Sequence, residues 1–420
     1  MTLAEPLFDP FTPEAFDDPH PQYRRLRAEA PVLWSDRLRS WVLFGYRDVH
    51  RFFSDPALSA DRSLATKYEG ERDGRIRGVG SESPEHTPVR AAITRSLYPM
   101  VAQLLPTVEG LVDDMVDVLA RSIDRFLDES ARLRNGGAAP GADPAQRADL
   151  IRDFAYPLPI TVIADLFGVP ETDRAQFQDW SHTLARRMDR FYRHDGERSF
   201  DAFAGYFADL VAERRRRPGD DLVSRMLEAN LADRHGVAPL SDAEYVGLCT
   251  TLIFAGHETT TNLLGNGMLA LLRHPAQHRR LTADPRGTAE TAVEELLRFD
   301  SPAQMISRTV IAETGYGDQV LRPGDAVLGV IGSANHDEAE FGPDADELDV
   351  GRSPNYHLAF GLGRHFCPGA RLSRLEARVA FPALLERFPD LRLIDGDPPV
   401  YRPTAVLRGL EHLPVTLDTH

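Results

Sequence analysis

The stretch Phe360-Gly361-Leu362-Gly363-Arg364-His365-Phe366-Cys367-Pro368-Gly369 contains one of only two cysteines in a chain of 420 residues. Glycine accepts tight turns and lets a backbone approach a flat ligand closely, so the two glycines before Cys367 predict a tight loop. Pro368 and Gly369 then lead into an apolar-periodic segment, and proline suits the first position of a helix. We therefore expect Cys367 at a helix N-terminus, where amide groups and the helix dipole favour a thiolate.

Two interpretations of Cys367 are open at this point. A free cysteine is most often a small buried apolar residue. A thiolate on a glycine-rich loop can instead be an axial ligand of haem iron. The surrounding residues favour the second interpretation, because the stretch resembles the haem-ligand signature of the cytochrome P450 family, F-G-x-G-x-H-x-C-x-G, at every fixed position.

Composition limits the classes of protein that fit the rest of the chain. A content of 42% hydrophobic and 27% charged residues is ordinary for a globular protein. Only Cys249 and Cys367 are present, so no disulfide framework exists and a reducing compartment is indicated. No signal-peptide pattern or apolar run of membrane-spanning length is visible, and a net charge of −16 argues against nucleic acid. We expect a cytoplasmic protein with no membrane or nucleic-acid partner. The length allows two or three domains or a single large body, and the resemblance implies one catalytic domain over residues 1–420.

The segment Glu85 to Arg90 resembles the E-H-x-x-x-R element of the same family. His86 and Arg90 are four residues apart, so they share one face of a predicted helix. By itself, such a spacing is more often a solvated pair. The resemblance implies that both bind a haem propionate through charge-assisted hydrogen bonds. It implies the same role for Arg308, in a predicted strand, and for His365.

A long helix is predicted from the capping box Ser241-Asp242-Ala243-Glu244 to about Arg273. Inside it lies Ala255-Gly256-His257-Glu258-Thr259-Thr260, which is poor helix-forming material. A threonine hydroxyl there can take the carbonyl one turn back, and we expect the helix to open at this point. A tolerated irregularity is the alternative. The element resembles the family's A-G-x-[DE]-T oxygen-activation motif, which implies that Glu258 and Thr259 are catalytic and deliver protons.

The remaining site residues come from the same resemblance. Ala255, Phe360, Gly361 and Gly369 are expected to contact the cofactor, with Phe360 limiting the solvation of the thiolate. Glu295 and Arg298 form an E-x-x-R pair. Alone, such a pair is usually superficial. In the family the same spacing forms a buried charge network that supports the haem loop.

The resemblance implies a mainly α fold with a smaller β region, and haem b between the long central helix and the cysteine helix. It implies a monooxygenase that uses O2 and two external electrons. No flavin or iron–sulfur motif is present in the sequence, so we expect ferredoxin and ferredoxin reductase as electron donors. A docking surface, or an ordinary solvated face, is predicted at Arg364, Arg371, Arg374 and Arg378.

Two other functions stay open. A peroxide-driven haem-thiolate enzyme would not need the relay of Glu258 and Thr259. A haem-free recruitment module would not need Cys367, Glu295 and Arg298. The presence of all five residues argues against both alternatives.

The substrate is expected to be a small, mostly hydrophobic organic molecule of secondary metabolism, either free or tethered to a carrier protein. Its predicted pocket is lined by Ile76, Val79, Thr251, Phe254, Ala255, Gln304 and Ile306. A cluster of arginines could be a solvated face or a basic rim for an anionic substrate or carrier. Its members are Arg186, Arg187, Arg190, Arg193 and Arg198.

Overall fold

The structure is a computed structural model that describes residues 8–61, 64–66, 78–82, 84–134, 147–174, 176, 180, 197–229 and 239–417. Its helices are α1 Pro13–Asp17, α2 His20–Glu29, α3 Tyr46–Phe52, α4 His86–Val101, α5 Leu105–Arg134, α6 Pro157–Phe167, α7 Glu197–Arg216, α8 Leu222–Glu228, α9 Asp242–Arg273, α10 Pro275–Ala283, α11 Pro285–Phe299, α12 Ile331–Ala334, α13 Glu338–Phe341 and α14 Ala370–Arg387. Its strands are β1 Val32–Ser35, β2 Ser40–Leu43, β3 Leu58–Ser59, β4 Arg147–Asp149, β5 Met305–Val310, β6 Thr314–Tyr316, β7 Gln319–Leu321, β8 Ala326–Val330, β9 Arg392–Leu393, β10 Val400–Tyr401, β11 Leu410–His412 and β12 Pro414–Thr416.

Helix α9 begins at the predicted capping box. The amide of Ser241 donates to the carboxylate of Glu244 over 2.7 Å, and the amide of Glu244 donates to the Ser241 hydroxyl over 3.3 Å. The expected opening of this helix is wrong. The hydroxyls of Thr259 and Thr260 do donate to carbonyls one turn back, at 2.8 and 3.1 Å, but the α-helix continues to Arg273. These hydrogen bonds therefore add to the backbone ladder instead of replacing it.

The core is built around α9, which packs against α6, α7 and α14. Two glycines on α9 allow this close approach. A Cβ atom at Gly256 would lie 3.0 Å from Ile163 Cδ1 on α6, and one at Gly267 would lie 2.7 Å from Phe381 Cζ on α14. The glycines of α9 are therefore explained by neighbouring helices that leave no room for a side chain.

The β region flanks this helical core. The predicted hairpin is confirmed as β1–β2, with Val32 opposite Leu43, and it belongs to a five-stranded sheet of order β1-β2-β8-β5-β3. In this sheet β2 and β8 are parallel, and β5 pairs antiparallel with both β8 and β3. Smaller sheets are β6–β7, β10–β11 and β4–β12–β9. Because β5 has a strand on each side, the side chain of Arg308 is held in a rigid setting.

The predicted helical content and smaller β region are both present. No helix in the described part of the chain is long and apolar enough to cross a membrane. The expected exposed insertion at 135–144 lies outside the described residues, as does most of the amphipathic helix predicted over 171–193.

Candidate active site

The cysteine loop is closed by its own backbone. Gly361 and Gly363 have φ angles of +66° and +68°, which L side chains rarely adopt, so the two glycines are required by the turn. The amide of Cys367 donates to the carbonyl of Phe360 over 2.9 Å. A Cβ atom at Gly361 would also lie 3.1 Å from the ring of Phe53. The loop is therefore fixed before any ligand is considered.

The sulfur of Cys367 lies at the start of a helix, as the sequence predicts. Helix α14 begins at Ala370 with Gly369 as its N-cap, and the amides of both residues donate to the sulfur. Burial raises the pKa of the Cys367 thiol, while these amides and the positive charge of Arg90 oppose the rise. A bound metal ion deprotonates a coordinating thiol outright, so this setting suits a metal thiolate.

Basic side chains from three parts of the chain meet beside this loop. The rings of His86, on α4, and His365 lie 4.3 Å apart, and the positive charge of Arg308, on β5, acts on His365. Burial, with the positive charge of His365 and Arg90, lowers the pKa of His86 to about 4. His365 Nε2 is buried and has no hydrogen-bond partner among the described residues. The cluster is therefore suited to bind carboxylates.

Arg90 makes a contact that the sequence did not predict. Its guanidinium donates to the carbonyl of Phe366, the residue before the cysteine. Glu82 also enters the cluster, because its carboxylate accepts from the amide of Ala60 over 2.6 Å and lies 3.6 Å from His365 Nε2. Arg90 therefore ties α4 to the cysteine loop, and Glu82 places one negative charge among the cations.

One face of α9 is open in the middle of an otherwise buried helix. Thr251 and Ala255 are exposed and Thr259 is half-buried, and the three are spaced four residues apart. The helix meets α14 where the hydroxyl of Thr260 lies 3.2 Å from that of Ser373, one turn after Gly369. The open face therefore consists of small side chains close to the cysteine helix.

Glu258 points elsewhere, and its partner was missed by sequence reasoning. Its carboxylate forms an ion pair with Arg402, which follows β10, and Arg402 also donates to the side-chain oxygen of Asn262. The Glu258 side chain is 2% exposed, whereas that of Arg402 is 17% exposed. Glu258 Oε2 lies 3.9 Å from His257 Nε2. No spacing rule could pair residues so far apart in sequence.

Glu295 and Arg298 lie in a second network, which is fully buried. Arg298 makes two hydrogen bonds of 2.8 Å to Glu295 and donates to the carbonyls of Asn335, Ala345 and Glu347. These three carbonyls belong to the segment that precedes the cysteine loop. The pair therefore connects α11 to that segment.

A third glutamate–arginine pair involves the predicted docking surface. Arg374 makes two hydrogen bonds to Glu294, both 2.7 Å. Burial disfavours ionisation of Glu294, but the hydrogen bonds from Arg374 and His357 outweigh it and lower its pKa to about 2. Two more of the four arginines are paired, as Arg364–Glu82 and Arg378–Glu290. The arginine without a carboxylate partner among the described residues is Arg371, which stacks on Tyr98.

The predicted pocket residues are only partly brought together. Thr251 and Ala255 lie on the open face of α9, and Phe254, beside them, is half-buried against the core. Ile306 is half-buried against the cluster that contains Phe52, on the helix α3. Val79 is 36% exposed, so its burial does not support its prediction as a pocket residue.

Gln304 is buried, and its amide donates to the carbonyl of Ser301 over 2.8 Å. Its side chain lies against Gly332 and lines a cleft that also contains Tyr23 and Arg408. These contacts give no support to Gln304 as a pocket residue. Ile76 and the arginines from Arg186 to Arg193 lie outside the described residues, as does the side chain of Arg198.

Glu376, on α14, is a buried carboxyl that sequence reasoning also missed. It is fully buried, and neither oxygen has a hydrogen-bond partner among the described residues. Burial raises its pKa well above the usual value. Burial therefore favours the neutral form of this carboxyl, on the face of α14 that carries Ser373 one turn earlier.

Together these observations fit an iron porphyrin. A thiolate position is set at a helix N-terminus. The basic cluster, in which His365 Nε2 makes no hydrogen bond to the described residues, suits two propionates, and small side chains leave room on α9. A sequence model of the family described as Cytochrome P450 matches residues 147–286 and 288–408, more than half of the chain. The chain belongs to the cytochrome P450 family. Its cofactor is haem b, and its activity class is monooxygenase.

Relatives of this P450 cover it almost completely. The cytochrome P450 monooxygenase PikC of Streptomyces venezuelae is 36% identical over 95% of this chain and 91% of its own length. The polyketide biosynthesis cytochrome P450 PksS of Bacillus subtilis strain 168 is 33% identical over 98% of this chain and 99% of its own. The structure of PksS covers 98% of this chain and 100% of its own, with a TM-score of 0.82. The predicted fold is thereby confirmed.

A third relative was solved with a carrier protein. P450BioI, in complex with acyl carrier protein ligated to hexadec-9Z-enoic acid, is 32% identical and has a TM-score of 0.81. The match covers 96% of this chain and 99% of that one.

Proposed function

We propose that this P450 oxidises a small, mostly hydrophobic molecule of secondary metabolism, with Cys367 as the axial ligand of haem iron. The observation that carries the proposal is the Cys367 sulfur, which accepts amide hydrogen bonds at the start of α14. The names of PikC and PksS support a substrate from natural-product biosynthesis. The small residues on the open face of α9 would leave room for a small organic substrate on that side of the site.

Haem b, when bound, supplies the iron that activates dioxygen. The guanidinium groups of Arg90 and Arg308 and the ring N–H groups of His86 and His365 would hold its propionates, since these donors bind carboxylates by hydrogen bonds. Phe360 would keep water from the sulfur. Its half-buried ring lies under the guanidinium of Arg374, whose central carbon is 4.5 Å from the ring centroid. Low solvation at the sulfur tunes the electronic properties of the site.

Proton delivery is assigned to Thr259 and Glu258. The Thr259 hydroxyl donates to the Ala255 carbonyl, which leaves its oxygen lone pairs free to accept a hydrogen bond from water on the open face. Glu258, one residue earlier, is buried and would take up and release protons as general acid–base catalysis requires. This pair supports an O2-dependent reaction over a peroxide-driven one.

Electrons are assigned to ferredoxin and its reductase. Ion pairs with Glu82, Glu290 and Glu294 neutralise much of the predicted docking surface. Arg371, which has no carboxylate partner among the described residues, is then the cation best placed to meet an acidic partner.

An optical titration of the purified ferric protein tests the proposal. Displacement of iron-bound water should shift the haem to high spin. The compounds to compare are free fatty acids and the same fatty acyl groups tethered to acyl carrier protein. A shift with free compounds assigns a free substrate, and a shift only with tethered groups assigns a carrier-bound one. Purified protein without a haem band, or a Cys367→Ser variant with an unchanged band, would overturn the proposal.

A further inference from the structure

The position of Arg402 is fixed by backbone contacts on both sides. It follows a β-bulge between Val400 and Tyr401, a device that re-aims side chains near active sites. Its amide donates to the carbonyl of Gly409 over 3.0 Å. The turn between β10 and β11 is tied to the start of β5 through a 2.9 Å hydrogen bond from Gln304 to Val406. The guanidinium therefore projects from a rigid hairpin.

The guanidinium meets two residues on one face of α9. Glu258 and Asn262 are four residues apart, and Arg402 binds both side chains. Any side chain at Gly409 would overlap Asn262, so the hairpin is shaped around this contact. The planar fork of arginine serves two acceptors at once, which a lysine ammonium does less well.

Arg402 also separates Glu258 from solvent. The other titratable side chain near Glu258 is that of His257, which is completely buried. It packs against Tyr156, with ring centroids 5.0 Å apart. Arg402, by contrast, has exposed atoms. Among these described neighbours, the one that reaches from Glu258 towards the surface is Arg402.

We propose that Arg402 is a positioning residue for proton delivery, an inference that rests on the proposed role of Glu258. It holds the buried carboxylate in place through their ion pair, so that Glu258 exchanges protons with water beside the guanidinium and passes them to the open face of α9, where the adjacent Thr259 lies. Arginine side chains are not deprotonated in proteins, so Arg402 does not itself carry the proton. A buried carboxylate that loses its counter-charge becomes neutral and cannot accept the next proton.

The test compares holoenzymes carrying Arg402→Gln, Arg402→Lys, Glu258→Gln and the double change Arg402→Gln/Glu258→Gln. Glu411→Gln, an exposed charge change on the same hairpin, is the matched control. One readout is NADPH-driven oxygen consumption with a surrogate ferredoxin and reductase, in H2O and in D2O. The other is the infrared absorption of protonated carboxyl groups in the ferric protein at pH 7.

We expect Glu258→Gln and Arg402→Gln to slow oxygen consumption on the order of tenfold and to raise the solvent isotope effect. Arg402→Lys should recover part of the rate, and Glu411→Gln should leave it unchanged. The double variant should be no slower than Glu258→Gln, because Arg402 acts through that carboxylate. Arg402→Gln should add one carboxyl absorption that is missing from the double variant.

The outcomes separate the two assignments. An unchanged rate in Glu258→Gln would overturn the relay itself, and the inference with it. A slow Glu258→Gln enzyme beside a normal Arg402→Gln enzyme would overturn the inference alone. If the rate losses of the two single variants multiply in the double variant, the inference is also overturned, because Arg402 would then act independently of Glu258 as a structural residue. If Arg402→Gln does not retain haem, Arg402→Lys tests the alignment of Glu258 alone: a lower rate with a raised solvent isotope effect supports the inference, and an unchanged rate and isotope effect overturn it.

Discussion

Two buried glutamates in this P450 are paired with arginine, and their surroundings differ. Glu295 accepts two hydrogen bonds from Arg298, one of 2.9 Å from the amide of Asp349 and one of 3.0 Å from Asn355. Arg352 lies 3.3 Å away as a second cation. The side chains of Glu295 and Arg298 are completely buried. Every charge here has several partners, as a buried ion pair requires in order to be stable.

Glu258 has far fewer partners. Arg402 binds one of its oxygens, while Glu258 Oε2 and Arg402 Nε have no hydrogen-bond partner among the described residues. Unsatisfied buried polar atoms are rare in structural networks and call for a specific explanation. The comparison teaches that the same residue types can support the fold when fully bonded, or remain available for proton transfer when they are not.

The largest effect is expected from breaking the fully bonded pair. Glu295→Gln leaves Arg298 buried without a full counter-charge, which costs about 3–5 kcal/mol of unfolding free energy. Because Arg298 holds the segment before the cysteine loop, haem content should fall as well. Urea unfolding and haem absorbance per chain measure the two effects. If Glu295→Gln matched wild type in stability and haem content, the distinction between the Glu295–Arg298 and Glu258–Arg402 pairs would be wrong.

Glu258→Gln should separate activity from stability. Arg402 reaches solvent and keeps Asn262 as an acceptor, so the loss of its charged partner should cost less unfolding free energy than the roughly 3–5 kcal/mol expected for the fully buried pair. Oxygen consumption, by contrast, should fall on the order of tenfold or more, as for loss of a general acid–base group. The same urea and oxygen-electrode measurements on wild type are the control. A large loss of stability would place Glu258 with Glu295 among structural glutamates.

The ion pair of Glu294 should have an intermediate effect, which is measured through the pH dependence of the free energy of unfolding. Its pKa is about 2 in the folded protein, below the ordinary value of 4.5. Its contribution to stability is therefore complete well above pH 4.5, and it is lost progressively as pH falls from there through the folded pKa of about 2. Wild type should lose about 1 kcal/mol of this contribution by pH 4. Glu294→Gln should lack that loss. Thermal unfolding of both proteins at pH 7 and pH 4 measures it, and parallel curves would contradict the assignment.

The smallest effect belongs to an exposed pair. Arg378 and Glu290 lie 3.2 Å apart with side chains 35% and 76% exposed. Arg378→Gln should change the unfolding free energy by less than about 1 kcal/mol, because water screens such pairs. Urea unfolding in low and high salt checks this value. A larger, salt-independent loss would show that Arg378 depends on its 3.6 Å contact with Glu294.

Local patterns carried much of the sequence prediction. The cysteine loop, the capping box of α9 and the E-x-x-R pair are set by residues close in sequence, so spacing and glycine content suffice. Arg402 could not be predicted, since the contact with Glu258 depends on how a C-terminal hairpin packs on the central helix. The continuous α9 was missed for a related reason. Its glycines serve neighbouring helices, and tertiary packing overrides their low helix propensity.

The basic cluster beside the cysteine loop has a thermodynamic consequence. His86, Arg90, Arg308 and His365 come from α4, from β5 and from the loop itself, so one ligand with two carboxylates would bind all three parts at once. Anything that binds the native state and not the unfolded chain stabilises folding by mass action. Cofactor uptake and folding are therefore linked equilibria, and a higher concentration of free cofactor raises the folded fraction.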